Sequence, residues 1–305
     1  MSSRTIEKRR RRDNVSGYLF LLPWLIGFFA LVAGPVIASG YLSFTDFDLL
    51  DTPAWVGFQN YVQLFTQDQH YWNSVRATVL YVVLSVPIRL FVALAFAVLL
   101  NRAIRGGHIY KAVLYLPSLL GGSVAIAILW RQIFGGEGLF NSFLALFGIT
   151  GPSWVSDPNY ALLTLIALAA WQFGSPMVIF LAGLQQVPAE LNEAASVDGA
   201  GAVRRFFSIT WPLLTPILFF NLVMQTIVAF QSFTPAFIVS GGTGGPVDST
   251  LFYTLYVYQL GFGQFKMGYA SAMAWVLLIG IAIVTAALFY TSRFWVFQAG
   301  KNERT

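Results

Sequence analysis

Arg89 stands near the middle of an apolar stretch running from about Arg76 to Leu100. A charge deep in a hydrocarbon layer costs at least ~2.5 kcal/mol, so it must face backbone carbonyls, a carboxylate of a neighbouring subunit, a ligand or a gate. Asn221, Gln225, Gln231 and Ser232 interrupt another apolar stretch, and Gln225 and Ser232, seven residues apart, fall on one helical face. Their amides and hydroxyls suit a hydroxyl-bearing ligand, and equally join helices in lipid at about 1 kcal/mol each. Tyr253, Tyr256 and Tyr258 can stack on a ligand ring, although tyrosines also collect at membrane interfaces. Other chemistry is excluded by residue type. There is no cysteine, and His70 and His108 are too few and too far apart for a metal centre. Gly241 to Gly245 has the look of a phosphate cradle but lacks the Gly-Lys-Ser/Thr ending, so it reads as a turn. No Ser/His/Asp set or carboxylate pair recurs where a pocket could form, and no catalysis is assigned.

The elements that position these residues are apolar spans. The chain has 305 residues, 57% of them hydrophobic and 10% charged, against about 25% charged in ordinary soluble domains. Six stretches are long enough to cross a bilayer as helices: Tyr18 to Phe44, Arg76 to Leu100, Ala112 to Phe134, Tyr160 to Leu184, Ile209 to Val239 and Gly268 to Tyr290. Pro23 and Pro35 should kink the first. That first run is too long for a cleaved signal core of about 7–15 residues. The net charge of +5 is not spread along a nucleic-acid-binding face but falls in blocks between spans. Arg4 and Lys8 to Arg12, then Arg102, Arg105 and Lys111, then Arg204 and Arg205, and finally Arg293, Lys301 and Arg304 alternate with acidic connections holding Asp46, Asp48, Asp51 and Asp68, or Glu137 and Asp157. Basic loops stay in the cytoplasm, which puts both termini inside. The expected organisation is a basic cytoplasmic tail over 1–17, a six-span membrane domain over 18–290, and a second tail over 291–305. Anionic lipid suffices to engage the N-terminal arginines. On the outer side, Phe140 to Phe147 is too short to span and reads as a surface helix, and Leu251 to Phe262 as a segment dipping into the outer leaflet.

The longest inner loop, 185–207, is the most informative. Val187 to Val197 reads as a short helix starting near Pro188, with Glu190 and Glu193 in its opening turns at the positive end of the helix dipole. Gly199 and Gly201 then allow a sharp bend, and Ala202 to Phe207 begins another helix. The result is a compact helix-turn-helix at the inner membrane face. Its sequence has Glu193-Ala194-Ala195, then Gly199 four residues after the second alanine, then Ile209 and Pro212 as Ile-x-x-Pro. This resembles the EAA motif of the permease subunits of bacterial binding-protein-dependent ABC importers, with Trp211 in place of the leucine usual before the proline.

The resemblance extends over nearly the whole chain and narrows to the carbohydrate-uptake subgroup of the maltose and glycerol-phosphate type. Leu22-Pro23, Pro35 and Ser43-Phe44-Thr45-Asp46 match its first span, Gly57-Phe58-Gln59-Asn60-Tyr61 its first outer loop, and Tyr115-Leu116-Pro117 its third span. Trp130, Gly138 and Asn141 fit the second outer loop, and Gly244-Gly245-Pro246 and Gly268-Tyr269-Ala270-Ser271-Ala272 the edges of the last. It implies an all-α integral membrane protein of the type I ABC importer permease fold. By the same resemblance the inner loop is a coupling helix, with Glu193, Ala194, Ala195, Asp198 and Gly199 docking a separate ATPase. The implied partners are a second homologous permease, two ATPase subunits, a periplasmic or extracellular solute-binding protein and a carbohydrate; no nucleic acid is expected. With no Walker sequence here, ATP and Mg would sit on the partners, and no cofactor on this chain. On this reading Gln225, Ser232, Asn221, Gln231, Arg89, Tyr253 and Tyr256 are candidates for a substrate pathway in the bacterial cytoplasmic membrane. Another cargo such as glycerol phosphate is the first alternative. An ion-coupled secondary transporter is the second, disfavoured because no acidic residue lies deep within a span.

Overall fold

A computed structural model describes Tyr18, residues 20–101 and residues 107–297; the tail 1–17, Arg102, Arg105, Lys301 and Arg304 lie outside these described residues. The chain is mostly helical and divides into two compact units, one comprising residues up to Thr66 together with Leu260–Val276, the other Gln67–Gln259 together with Leu277 onward.

In the first unit, helix α1 covers Phe20–Leu42. Its ladder widens into one π-type turn at Phe29–Ala33, immediately before Gly34-Pro35, where proline has no N–H to donate. Strands β1 (Thr45–Asp46) and β2 (Ala54–Trp55) pair antiparallel with Thr45 opposite Trp55. Helix α2 (Gln59–Thr66) follows, and Asn60 donates from its amide to the carbonyls of Ser43 at 3.0 Å and Thr45 at 2.9 Å, holding the hairpin. Trp275 Nε1 donates to Ser39 Oγ at 3.2 Å.

The second unit is organised around α3 (Gln69–Leu100), which starts seven residues before the expected span because Asp68 caps it by accepting from Tyr71 N. The helices that follow are α4 (Gly107–Leu120), α5 (Val124–Ile133), the short α6 (Leu139–Ala145), α7 (Ala161–Trp171), α8 (Gly174–Leu184), α9 (Ala189–Val197), α10 (Ala202–Phe230), α11 (Thr234–Ser240) and α12 (Tyr253–Tyr258). Helix α13 (Met267–Trp295) runs beyond the expected end at Tyr290. Helix α3 packs on α7, α8 and α10, and α5 on α11. Helix α8 also packs on α4 and α10, and two of its glycines permit those contacts. A Cβ on Gly174 would lie 2.7 Å from Tyr115 Cα, and one on Gly183 would collide with Ile217, as expected where small residues let membrane helices approach closely.

Among the described residues four helices are long and apolar enough to cross a membrane, Phe20–Leu42, Gln69–Leu100, Ala202–Phe230 and Met267–Trp295; α4 with α5, and α7 with α8, pass the same test as bent pairs. Lipid suits their surfaces, since side chains such as Phe20, Leu31, Phe91 and Ile283 are largely exposed.

Three expected spans are therefore not continuous. The third, Ala112 to Phe134, turns by 96° between α4 and α5; Gly121 and Gly122 leave the helix and Ser123 starts the next by accepting from Ile126 N. The fourth bends by 40° between α7 and α8. The fifth, Ile209 to Val239, stops at Phe230 and resumes at Thr234, where Pro235 lacks the N–H that a continuing ladder requires.

Candidate functional site

The breaks create the site. At the end of α7 the Gln172 carbonyl is released from the helical ladder, and three donors converge on it: Arg89 Nε at 2.9 Å, Arg89 Nη2 at 2.6 Å and Ser118 Oγ at 2.8 Å. Ser118 Oγ in turn accepts from Ser175 N, the second residue of α8, at 3.0 Å. The Gln172 side chain reaches the other way and donates to the Gly121 carbonyl at 2.9 Å. The 40° break and the 96° break are thus tied to each other and to α3. A lone backbone carbonyl buried at this depth would cost a full desolvation penalty of about 1–3 kcal/mol, and Arg89 removes that cost while lowering its own.

Beside this junction is a cavity of about 230 Å³. Arg89, Tyr81 and Ser85 line it from α3, Gln172 and Gly121 from the breaks, Gln225 from α10, Gln231 and Ser232 from the segment between α10 and α11, and Thr234 from the start of α11. Tyr81, Ser85 and Ser232 each bring a hydroxyl to this lining. Gln225 Oε1 is buried without a hydrogen-bond partner, and one helical turn earlier both polar atoms of Asn221 are in the same condition. Among the described residues no Asp or Glu lines the cavity.

The polar series expected on the fifth span comes together by another route. Ser232 lies past the end of α10, so it does not share a helical face with Gln225; the chain turns at Gln231 and brings Ser232 back to the same cavity. Asn221 is fully buried in α10 and does not line the space. Of the alternatives open for Arg89, the structure has it on a backbone carbonyl and at a cavity wall together. Tyr253 and Tyr256 are elsewhere. Tyr253 N donates to Thr78 Oγ1 at 2.8 Å, and the Tyr256 hydroxyl donates to Asp68 Oδ2 at 2.8 Å; neither lines the cavity. Tyr258 packs on Phe233 and Phe237. Sequence reasoning missed Tyr81, Ser85, Ser118 and Gln172. Gln172 carried a signal, being an amide flanked by Trp171, Phe173 and Gly174 in an otherwise apolar run.

The inner loop has the expected local form. Pro188 precedes α9, Glu190 lies in its first turn, and Gly199 follows with φ +79°. Ala200 N donates to Ala195 O at 2.9 Å and Gly199 N to Ser196 O at 3.1 Å, which closes the end of the helix. Arg205 Nη1 donates back to Asn192 O at 3.2 Å. No residue of α9 is buried, Glu193 and Ala194 face solvent, and Val197 is 88% exposed. A separate network joins His70 Nδ1 and Asn73 Nδ2 to Asp248 Oδ2 at 2.7 and 2.8 Å. Among the described residues no group of three or more His, Asp or Glu could hold a metal ion.

Broken apolar helices around a polar cavity, with an exposed helix-turn-helix on a connecting loop, define a multi-pass membrane permease. The chain belongs to the family described as binding-protein-dependent transport system inner membrane component, whose pattern it matches over residues 77–295. It is 53% identical over 294 residues to the probable ABC transporter permease protein YesP of Bacillus subtilis, covering 96% of this chain and 95% of that one. It is 30% identical to the lactose transport system permease protein LacF of Rhizobium radiobacter, over 96% of this chain and 99% of that one. Among solved structures, a chain of a bacterial ABC transporter involved in the import of the acidic polysaccharide alginate superposes with a TM-score of 0.76 at 20% identity, covering 95% of this chain and 98% of that chain; that likeness is one of fold.

Proposed function

We propose that this chain is the carbohydrate-translocating permease subunit of an ATP-driven importer in a bacterial cytoplasmic membrane, with six spans, both termini inside, and the bent pairs α4–α5 and α7–α8 each counting as one span. The observation that carries the reading is the cavity at the helix breaks, where Gln225 offers an unpartnered amide oxygen beside Ser232 and Gln231 in a protein of this family. Relatives named for lactose, trehalose and maltose, and arabinooligosaccharide transport support the cargo class. At about 230 Å³ the cavity is smaller than the roughly 300–1,000 Å³ of complete ligand sites, so it is one half of a site that a second, homologous permease completes.

Coupling belongs to the inner loop. Glu193, Ala194, Ala195, Asp198 and Gly199 dock α9 onto a separate ATPase subunit, the small alanines admitting close approach and the unpaired Glu193 meeting a partner cation. Two such ATPases carry the ATP and Mg, this chain holds no cofactor, and an extracellular binding protein delivers the carbohydrate. ATP binding can open the cavity outward only through differential affinity for the two states. Asn221, one turn before Gln225 along α10, is buried outside the cavity and makes no contact with cargo in this state.

Reconstitution of the full complex tests this. Uptake of carbohydrate should require the binding protein, both permeases, the ATPase and ATP, and Glu193→Ala should abolish it in a complex that inserts normally. Wild-type uptake by the Glu193→Ala complex, with assembly intact, would remove the coupling assignment.

A further inference from the structure

Resting on that reading, we infer that the cavity selects carbohydrates bearing a fixed negative charge, and that Arg89 is the residue that selects them. Arg89 is a permanent cation, since a guanidinium is not deprotonated in proteins. Of its five N–H groups, one on Nε and one on Nη2 go to the Gln172 carbonyl. That acceptor is a neutral dipole, so it orients the guanidinium without cancelling its charge. Among the described residues no carboxylate lines the cavity and Arg89 forms no ion pair.

A positive charge kept at this depth for transport must be balanced in the loaded state. The least costly partner is the cargo itself, because it arrives and leaves with the conformational cycle. Fixed by Gln172, the rest of the guanidinium fork faces the cavity wall shared with Tyr81, Ser85 and Ser232, and this set matches a carboxylate or phosphate. The arginine supplies charge-assisted donors and the hydroxyls fill the remaining lone pairs. Gln225, which also lines the cavity and whose Oε1 accepts nothing, takes a sugar hydroxyl. An acidic sugar therefore satisfies both uncompensated features of the cavity, and a neutral sugar satisfies one.

The test is paired uptake in proteoliposomes holding the full complex, with the binding protein unchanged throughout. One arm compares uronate-containing di- and trisaccharides with their carboxyl-reduced neutral counterparts; a second compares a sugar phosphate with the free sugar. Arg89→Gln should lower the ratio of acidic to neutral uptake by at least about tenfold, the equivalent of one charge-assisted hydrogen bond. Ser232→Asp leaves Arg89 on Gln172 but places a fixed carboxylate in the cavity, and should lower the same ratio although the junction is intact. This second variant decides the matter if Arg89→Gln does not assemble. A response confined to the phosphate arm keeps the inference and identifies phosphate as the anion. An unchanged ratio in an assembled variant makes Arg89 a structural tie alone and overturns it, leaving carbohydrate import standing. If neither acidic nor neutral carbohydrate enters, both readings fall.

Discussion

Replacing Gly199 by a graded series is the sharpest test of the inner loop. Gly199 has φ +79°, a region that costs an L-residue about 1–2 kcal/mol and that Asn tolerates better than other side chains. A Cβ there meets no atom of this chain within 4 Å, so Gly199→Ala carries the backbone cost alone. About 1–2 kcal/mol reduces the ratio of native to altered loop by roughly five- to thirtyfold, and uptake by the Ala variant should fall by no more than that. Gly199→Asn should fall less. Gly199→Pro is different in kind. Proline fixes φ near about −65° and has no N–H, so it cannot reach this conformation and also removes the 3.1 Å bond from Gly199 N to Ser196 O. With α9 misdirected, uptake and binding-protein-stimulated ATP hydrolysis should both be lost while the subunit inserts and accumulates normally. The assay is uptake and ATPase rate in proteoliposomes, normalised to assembled complex. Wild-type transport by the Pro variant would refute the argument. An Ala variant as inactive as Pro would show that the added Cβ strikes the docked partner, a steric effect from outside this chain.

The absence of cysteine makes a topology test direct. A single cysteine at Asp51 should react with an impermeant thiol reagent in intact cells and one at Ser196 should not, and reversed labelling would invert the orientation. Gln225→Leu removes the unpartnered amide of the cavity and should lower uptake about tenfold, with a much smaller fall in stimulated ATP hydrolysis; equal losses in both would detach Gln225 from cargo recognition. Gly174→Val should lower the thermal-aggregation midpoint in detergent, because its side chain would press on Tyr115 Cα and the Leu114 carbonyl at 2.7–2.8 Å and such overpacking costs about 1–3 kcal/mol. An unchanged midpoint would mean that α4 and α8 separate at no cost.

By itself the sequence determined the class of fold, the approximate span positions and the local form of the inner loop. Each depends on short-range rules: apolar runs long enough for a bilayer, charge blocks between them, and Pro188 and Gly199 at the ends of α9. The same reasoning placed Arg89 inside a span and Gln225 and Ser232 in one polar group. Tertiary structure alone decided how these meet. Hydropathy averages over a window, so it does not register a few residues of broken ladder at Gly121, Gln172 or Gln231 when both flanks are apolar. Without the break at Gln172 there is no free carbonyl for Arg89, and without the turn at Gln231 Ser232 does not return to the cavity. Tyr253 and Tyr256 went to Thr78 and Asp68 for the same reason, because their partners are more than 170 residues away along the chain. A buried polar group takes whichever partner the packing brings within reach, and spacing along the sequence does not encode that partner.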